Sequence, residues 1–376
     1  MVVLGTILLL CIGITVVASV SDAQAVAFHV SANHFATRQL LFAVIGLVLA
    51  FGIVPRFDPH VFQRRDMAAL LMGVIALGLV SVWIPGLADE AQKGSHRWLK
   101  FGGFKLQPSE FVRVGVCILM ARWCGNLRCR NENFWKGTAL PFLFLAPVLA
   151  LLLRQPDLGS TVLAAVVATL IMWMAGSRPS HLGVFVVLGA IGGAAKILTS
   201  PEHMRRVLSF IAPDKVSGDE SQQIEASLQA FRNGGLFGRG YGHGIMKEGY
   251  LPEAHTDFIL AMAGEELGLF LTLGVVVCYL FVLVGGWRIA RASTEKYSKL
   301  LAMGLTLHFC LAAGANIAVV TRLGPTKGLA LPLMSYGGSN MLASLLVLGL
   351  LLAVARHAPT EFDIRGPGLR RSSGAR

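Results

Sequence analysis

The sequence predicts an all-α integral membrane protein: a bundle of about ten transmembrane helices with one large extracytoplasmic loop. Three observations predict it. Of 376 residues, 54% are hydrophobic and only 14% are charged, against about 25% charged in soluble domains. The apolar residues fall into ten blocks, about 2–20, 38–54, 67–85, 109–123, 138–153, 159–175, 182–198, 258–286, 299–320 and 333–355. These approach the roughly 20 residues that a spanning helix needs. Hydrocarbon offers backbone groups no water, which makes each block a helix rather than a strand. Third, the cations sort by side. With the N-terminus cytoplasmic, the inner connections hold Arg56, Arg64 and Arg65, then Arg122, Arg128, Arg130 and Lys136, then Arg178, Arg288, Arg291, Lys296 and Lys299. The net charge of +12 is therefore a positive-inside signature and not a nucleic-acid footprint. The organisation expected is one membrane unit over 1–376, with an outer loop at about 199–257 and a cytoplasmic tail at about 356–376.

The first block ends near Asp22-Ala23-Gln24-Ala25, which resembles a signal-peptide cleavage site. The preceding run is long and has no basic n-region, so an uncleaved first helix is expected. Six cysteines supply no disulfide framework: four lie in apolar blocks, where a thiol acts as a small hydrophobe. Cys124 and Cys129 flank a cytoplasmic loop and offer too few ligands for zinc.

The outer connections carry the unusual residues. Segment 86–108 holds Lys93, Arg97, Lys100 and Lys105 on the side where insertion bias should exclude cations. An anionic ligand would retain them, with Arg97 suited to bidentate phosphate contact. Headgroup snorkelling, with Trp98 as an interfacial anchor, explains them equally well. Gln107-Pro108-Ser109-Glu110 opens the next helix, and Glu110 there either caps locally or serves a site. In Arg154-Gln155-Pro156-Asp157-Leu158-Gly159, Asp157 suits a helix start. Charges this close to lipid also mark polar sites.

Within the large loop, Asp219 with Gln222 starts a helix of about 220–232, whose Ile224, Leu228 and Phe231 recur at helical spacing. Asn233-Gly234-Gly235 stops it. The glycine-rich run 235–244 is either a mobile cradle for an anion or a hinge. Leu251-Pro252-Glu253-Ala254-His255-Thr256-Asp257-Phe258 then sets three ionisable side chains at the outer mouth of a span. Glu265 and Glu266 lie about 12–14 Å deeper. Intramembrane carboxylates are functional suspects; the structural alternative pairs them with a bundle cation such as Lys196. On the helical wheel Glu265 shares more of the Asp257 face, whereas Glu266 points elsewhere. Finally, Arg322 to Gly328 and Leu331 to Asn340 bracket the last outer turn, where Pro332 and Gly337-Gly338 suggest a broken helix.

These motifs, in this order, resemble the SEDS family of bacterial wall-synthesis proteins. The resemblance rests on Lys93-Gly94-x-x-Arg97-Trp98, Gln107 to Glu110, Gln155 to Gly159, Leu251 to Phe258, Gly264-Glu265-Glu266-x-Gly268 and Leu331 to Ser339. It covers nearly the whole chain. Leu251 to Phe258 together with Pro325-Thr326-Lys327-Gly328 is closer to the division branch than to the elongation branch. There are departures: Gln222 and Ala226 flank Gln223 where the family often has Tyr and Gln, Arg113 replaces a common Lys, and Asn340 replaces a second Ser. The chain also opens directly in its first helix, where members usually carry a cytoplasmic leader.

The resemblance implies a ten-helix fold and peptidoglycan glycosyltransferase activity on the lipid-linked disaccharide-pentapeptide, lipid II. It implies a place in the bacterial inner membrane at the division septum, with the active site on the outer face. It also implies work beside an FtsI-like class B penicillin-binding transpeptidase and other divisome membrane proteins. The acid of the His-Thr-Asp motif is the family's catalytic residue, which here is Asp257. An α-linked donor and a β-linked polymer require inversion, hence one carboxylate base and no glycosyl-enzyme. Substrate contacts are expected at Lys93, Arg97, Glu110, Gln155, Asp157, Gln223, Lys247, Glu253, His255, Lys327 and Ser335, with Glu265 and Glu266 as intramembrane support. Lys93, Arg97 and Lys247 would stabilise the leaving pyrophosphate, with a divalent cation (Mg2+ or Mn2+) as a further expectation. Two rival classes fit the same residues: a transporter that flips the lipid-linked precursor, and a non-catalytic division scaffold.

Overall fold

The computed structural model describes residues 1–28, 31, 33–88, 97–101, 104–126, 132–212, 219–325 and 328–357. In chain order the elements are α1 (Val2–Phe28), α2 (His34–Leu47), α3 (Arg65–Ser81), β1 (Leu99–Phe101), β2 (Phe104–Leu106), α4 (Pro108–Gly125), α5 (Leu140–Arg154), α6 (Leu158–Met174), α7 (Pro179–Thr199), α8 (Pro201–Ile211), α9 (Asp219–Gly234), α10 (Ile259–Ala292), α11 (Lys296–Val320) and α12 (Gly338–His357). The ten apolar blocks correspond to α1–α7 and α10–α12. Seven described helical segments are long and apolar enough to cross a membrane, and α6 is a shorter apolar helix. The remaining two, α3 and α4, run 17 and 18 residues. Short π-helical stretches, Val48–Ile53 and Phe134–Ala139, extend α2 and α5 toward span length.

The buried centre belongs to α10, α11, α12, α4 and α1, whereas α7 lies outermost, with Leu182 its one buried residue. Connections gather at two ends, as alternating spans require. At the end shared by the α2–α3, α4–α5 and α10–α11 connections, Tyr297 Oη donates to Pro59 O (3.1 Å), Arg122 Nε to Gln63 O (3.2 Å) and Trp123 Nε1 to Lys136 O (3.3 Å). At the opposite end Gln107 N donates to Ser339 Oγ (2.9 Å) and Tyr336 N to His255 O (2.9 Å).

Three features depart from the sequence expectation. The segment before α4 forms an antiparallel hairpin of β1 and β2, which sets Lys100 opposite Lys105. The large loop holds α8 in addition to the expected helix, which is α9. The broken helix is α10: Gly268 takes φ 80°, ψ −177° inside it. A backbone freed in this way needs new partners. Leu269 N donates to Gly235 O (3.0 Å), while Arg239 N and Gly240 N donate to Glu265 O (3.0 Å) and Glu266 O (2.9 Å). Pro332 and Gly337, where a break was expected, instead form a turn ahead of α12.

Candidate functional site

The turn Leu251–Phe258 enters α10 at the end where the hairpin, α8 and the 321–337 connection converge. Its shape is fixed by backbone and side-chain locks. The Glu253 carbonyl accepts from Thr256 N (3.1 Å), and Glu253 Oε2 accepts from Thr256 Oγ1 (2.8 Å), with Glu253 itself at φ 58°. Ser335 Oγ donates to Thr256 O (2.6 Å) and accepts from Leu331 N (2.8 Å). Gln39 Nε2 donates to the Ser335 carbonyl at 3.1 Å. His255 packs between Phe35 and Tyr336, with ring centroids 5.1 and 5.6 Å away, and burial holds its imidazole below the usual range. Ser335 is wholly buried. Ser335 and His255, expected as substrate contacts, thus brace the turn that carries Asp257.

Asp257 presents its carboxyl from this turn. Among the described residues no hydrogen bond or ion pair reaches it, while its backbone carbonyl accepts from Asn316 Nδ2 (2.8 Å). Burial, reinforced by the Glu253 carboxylate, raises its pKa to about 7, against the pull of Arg206 and Arg97. A cavity of about 200 Å3 adjoins it, walled by Arg97, Pro156, Asp157, Gly159, His203, Arg206 and Gly328. A Cβ built on Gly328 would sit 3.7 Å from Asp257 Oδ2. Asp257 therefore adjoins a small chamber whose own lining carries two arginines and the Asp157 carboxylate.

The cations have specific anchors. Arg97 Nε donates to Gln155 O (3.0 Å), and its Nη2 donates to Pro156 O. Two of the five Arg97 N–H donors are thus spent on the α5–α6 turn, which takes up its Nε/Nη2 face. Arg206 pairs with Glu202 one turn earlier on α8 (2.6 Å). Buried His203 beside it is pushed below its usual range by burial and by the neighbouring arginines. Neither Arg206 nor His203 was singled out from the sequence. The available signal was Met204, Val207, Leu208 and Ile211 at helical spacing after Pro201, which marks a surface helix with one polar face.

Other expected contacts also carry internal roles. Asp157 caps α6, Oδ1 accepting from Ser160 N (3.0 Å) and Oδ2 from Ser109 Oγ (3.0 Å). Gln155 is buried and donates Nε2 to Leu79 O (2.8 Å). Glu110 forms a buried ion pair with Arg113. Gln223 lies half-buried on α9. Lys93 and Lys327 lie outside the described residues.

Lys247 does not join the Asp257 chamber. Its Nζ lies 2.8 Å from Glu266 Oε1, 2.9 Å from Ser19 Oγ, 2.9 Å from Gly242 O and 3.3 Å from Ser19 O. An ammonium has three donors, so all are committed inside the chain. Glu266, expected to find a cation such as Lys196, finds Lys247. Glu265 was expected at the floor of the Asp257 cavity. It turns instead to the glycine run, accepting from Asn233 Nδ2 (3.0 Å), Ile245 N (3.1 Å) and Met246 N (3.1 Å). The 235–244 run is therefore a seated strap and not a mobile cradle. A Cβ at Gly238 would lie 2.2 Å from Glu266 O, which explains why glycine stands at that closest approach.

Among the described residues no group of three or more His, Cys, Asp or Glu is arranged to hold a metal ion. The donor set at Asp257, one or two carboxylates, matches the way Mg2+ binds through a few protein oxygens and substrate phosphates.

Fold and site together define a polytopic helical membrane protein in which the Asp257 carboxyl, without a hydrogen bond or ion pair among the described residues, adjoins a chamber lined by Arg97 and Arg206 at one end of the bundle. The model of the cell cycle protein family that groups FtsW, RodA and SpoVE matches residues 1–360. The probable peptidoglycan glycosyltransferase FtsW of Geobacter metallireducens is 37% identical, with 94% of this chain and 93% of that protein aligned. The stage V sporulation protein E of Bacillus subtilis is 34% identical over 95% of this chain and 96% of its own length. Among solved structures, a chain from a study of a peptidoglycan synthase complex superposes with a TM-score of 0.72 at 24% identity, covering 94% of this chain and 98% of that one. RodA of Thermus thermophilus superposes at 0.65 and 24%, covering 96% and 97%. This chain belongs to the FtsW/RodA/SpoVE family.

Proposed function

We propose that this protein is an inverting peptidoglycan glycosyltransferase that polymerises lipid II at the outer face of a bacterial cytoplasmic membrane during division. The observation that carries the mechanism is the isolation of Asp257: its carboxyl, with a pKa raised to about 7, meets no partner among the described residues and adjoins the Arg97–Arg206 chamber. Asp257 removes the proton from the acceptor 4-hydroxyl. The resulting oxygen forms the new bond to the donor anomeric carbon as the bond to the lipid pyrophosphate breaks on the opposite face, which inverts the centre. A base with a pKa near the working pH is suited to that proton transfer. Arg97 and Arg206 offset the negative charge that the departing pyrophosphate gains. Mg2+ or Mn2+ would add charge at the phosphates, held by Asp257 and by Glu253, whose charge acts on Asp257. The partner for crosslinking is an FtsI-like class B transpeptidase, in keeping with the family and with the synthase-complex fold match.

The test is polymerisation of lipid II by purified protein in detergent or vesicles, without ATP or an ion gradient, alone and with the transpeptidase. Glycan chains from wild type and none from Asp257→Asn at equal abundance support the reading. Vectorial movement of lipid II without polymer would install the transporter instead. Growth of cells that carry only Asp257→Asn would favour the scaffold.

A further inference from the structure

At the end of the bundle opposite Asp257, a second feature stands apart from the chemistry. A cavity of about 380 Å3 opens between α3, α4 and α5, and its apolar walls include Met72, Met120, Phe144 and Val148. Arg65 and Arg122 stand at its mouth. Met72, Phe144 and Val148 also line an adjoining cavity of about 360 Å3, which continues along α5 to Leu151. The two make one groove. From Pro141 to Leu151 it follows α5 for ten residues, about 15 Å, which is half of a roughly 30 Å hydrocarbon core. The groove is one leaflet deep.

The charge at the mouth is unspent. Arg122 uses Nε on Gln63 O (3.2 Å). Among the described residues its terminal nitrogens have no partner, and Arg65 makes no ion pair or hydrogen bond. The acid beside them, Asp66, is taken by Arg64 at 2.9 Å. Trp123, with Nε1 donating to Lys136 O (3.3 Å), sets an indole at the same depth, as interfacial tryptophans do.

We propose that this groove holds one anionic phospholipid of the adjacent leaflet, its phosphate between Arg65 and Arg122 and an acyl chain laid along Met72, Phe144 and Leu151. With the orientation proposed above, this is the cytoplasmic leaflet. The site is separate from the Asp257 chamber, and its test does not depend on catalysis.

The experiment melts the purified protein in detergent with phosphatidylglycerol or phosphatidylcholine added, and counts retained lipid by native mass spectrometry. Phosphatidylglycerol should raise the melting temperature more than phosphatidylcholine, and its advantage should shrink as salt rises. Arg65→Gln, at an exposed side chain without an ion pair among the described residues, should weaken phosphatidylglycerol binding about fivefold, the factor for one surface cation against an anionic lipid. Ala69→Trp, which fills the groove wall, should reduce retention of both lipids. Equal effects of the two lipids on wild type, or an Arg65→Gln response identical to wild type, overturns the proposal. Displacement of phosphatidylglycerol by equimolar undecaprenyl phosphate also overturns it, and reassigns the groove to the polyprenyl carrier. A protein that melts without polymerising lipid II still reports on this site.

Discussion

The side-chain amide of Asn316 donates to two carbonyls at once, Asp257 O at 2.8 Å and Leu329 O at 2.9 Å. A single residue of α11 thereby ties the turn that carries Asp257 to the connection that walls the adjoining chamber. Asn316 is buried, so loss of the amide orphans two backbone acceptors, at a cost of about 1–3 kcal/mol each. Asn316→Ala should lower kcat with little change in KM, because the carboxyl is misplaced while the lipid contacts survive. Asn316→Asp should be worse, since it sets a charge against the same two carbonyls. Kinetics of both variants at matched membrane level checks this; wild-type kcat for Asn316→Asp refutes the positioning role.

Asp257 must be ionised to accept a proton, and its pKa is raised to about 7 by burial and by Glu253. Polymerisation should therefore climb as pH rises through about 7 and fall away below it. Removing the Glu253 charge removes a raising influence, so Glu253→Gln should move this limb to lower pH. The shift should be modest and smaller at high salt, because Glu253 is exposed and its charge is screened. A limb that stays put or moves upward would contradict the assignment.

Lys247 and Glu266 test the strap. Both are buried, and breaking a buried pair by removing one partner typically costs about 3–5 kcal/mol. Lys247→Met and Glu266→Gln should each lower the melting temperature and the membrane abundance before the catalytic rate per folded molecule. The double variant should recover part of the loss, because no unpaired charge is left behind. Additive losses in the double variant would show that the two side chains act separately.

Much of the bundle was legible because lipid imposes a strong local rule: each block of apolar residues had to be a helix. Ten blocks became ten helices, and Asp219 and Gly235 marked α9 through local stop and start chemistry. The position of Asp257 at a helix mouth was legible from the apolar block that follows it. The Ser19–Lys247–Glu266 cluster was not, since Ser19 donates to Glu266 Oε1 across 247 residues (2.6 Å), a pairing with no local signature. The same holds for Asn316, a lone amide in an apolar helix. The break in α10 was hidden because Gly268 sits within one long, mainly apolar block, and the strap that satisfies the freed backbone comes from elsewhere in the chain. Gln155, Asp157 and Ser335 stood out as polar residues near lipid, but burial committed each to bracing the turns around the chamber.

The last prediction separates the two arginines of that chamber. Arg97 gives Nε and Nη2 to the carbonyls of Gln155 and Pro156, so it holds the hairpin segment onto the α5–α6 turn while it lends charge to the cavity. Lysine keeps the charge but cannot reproduce two divergent donors in one plane. Arg97→Lys should therefore lose stability as well as activity. Arg206 makes one outward contact, to Glu202 on its own helix (2.6 Å), and a flanking lysine at that site retains the charge. Arg206→Lys should stay close to wild type in both melting temperature and rate, whereas Arg206→Ala should lower the rate of pyrophosphate departure at unchanged stability. Loss of one transition-state donor in such a site typically costs 10²–10³-fold; for a half-exposed arginine about tenfold is expected, after screening by solvent. Melting curves and initial rates for the four variants, at equal protein in vesicles, decide it. If Arg206→Ala polymerises at the wild-type rate, Arg206 has no part in stabilising the leaving group. If Arg97→Lys is as stable and active as wild type, the carbonyl anchor is dispensable and Arg97 acts by charge alone.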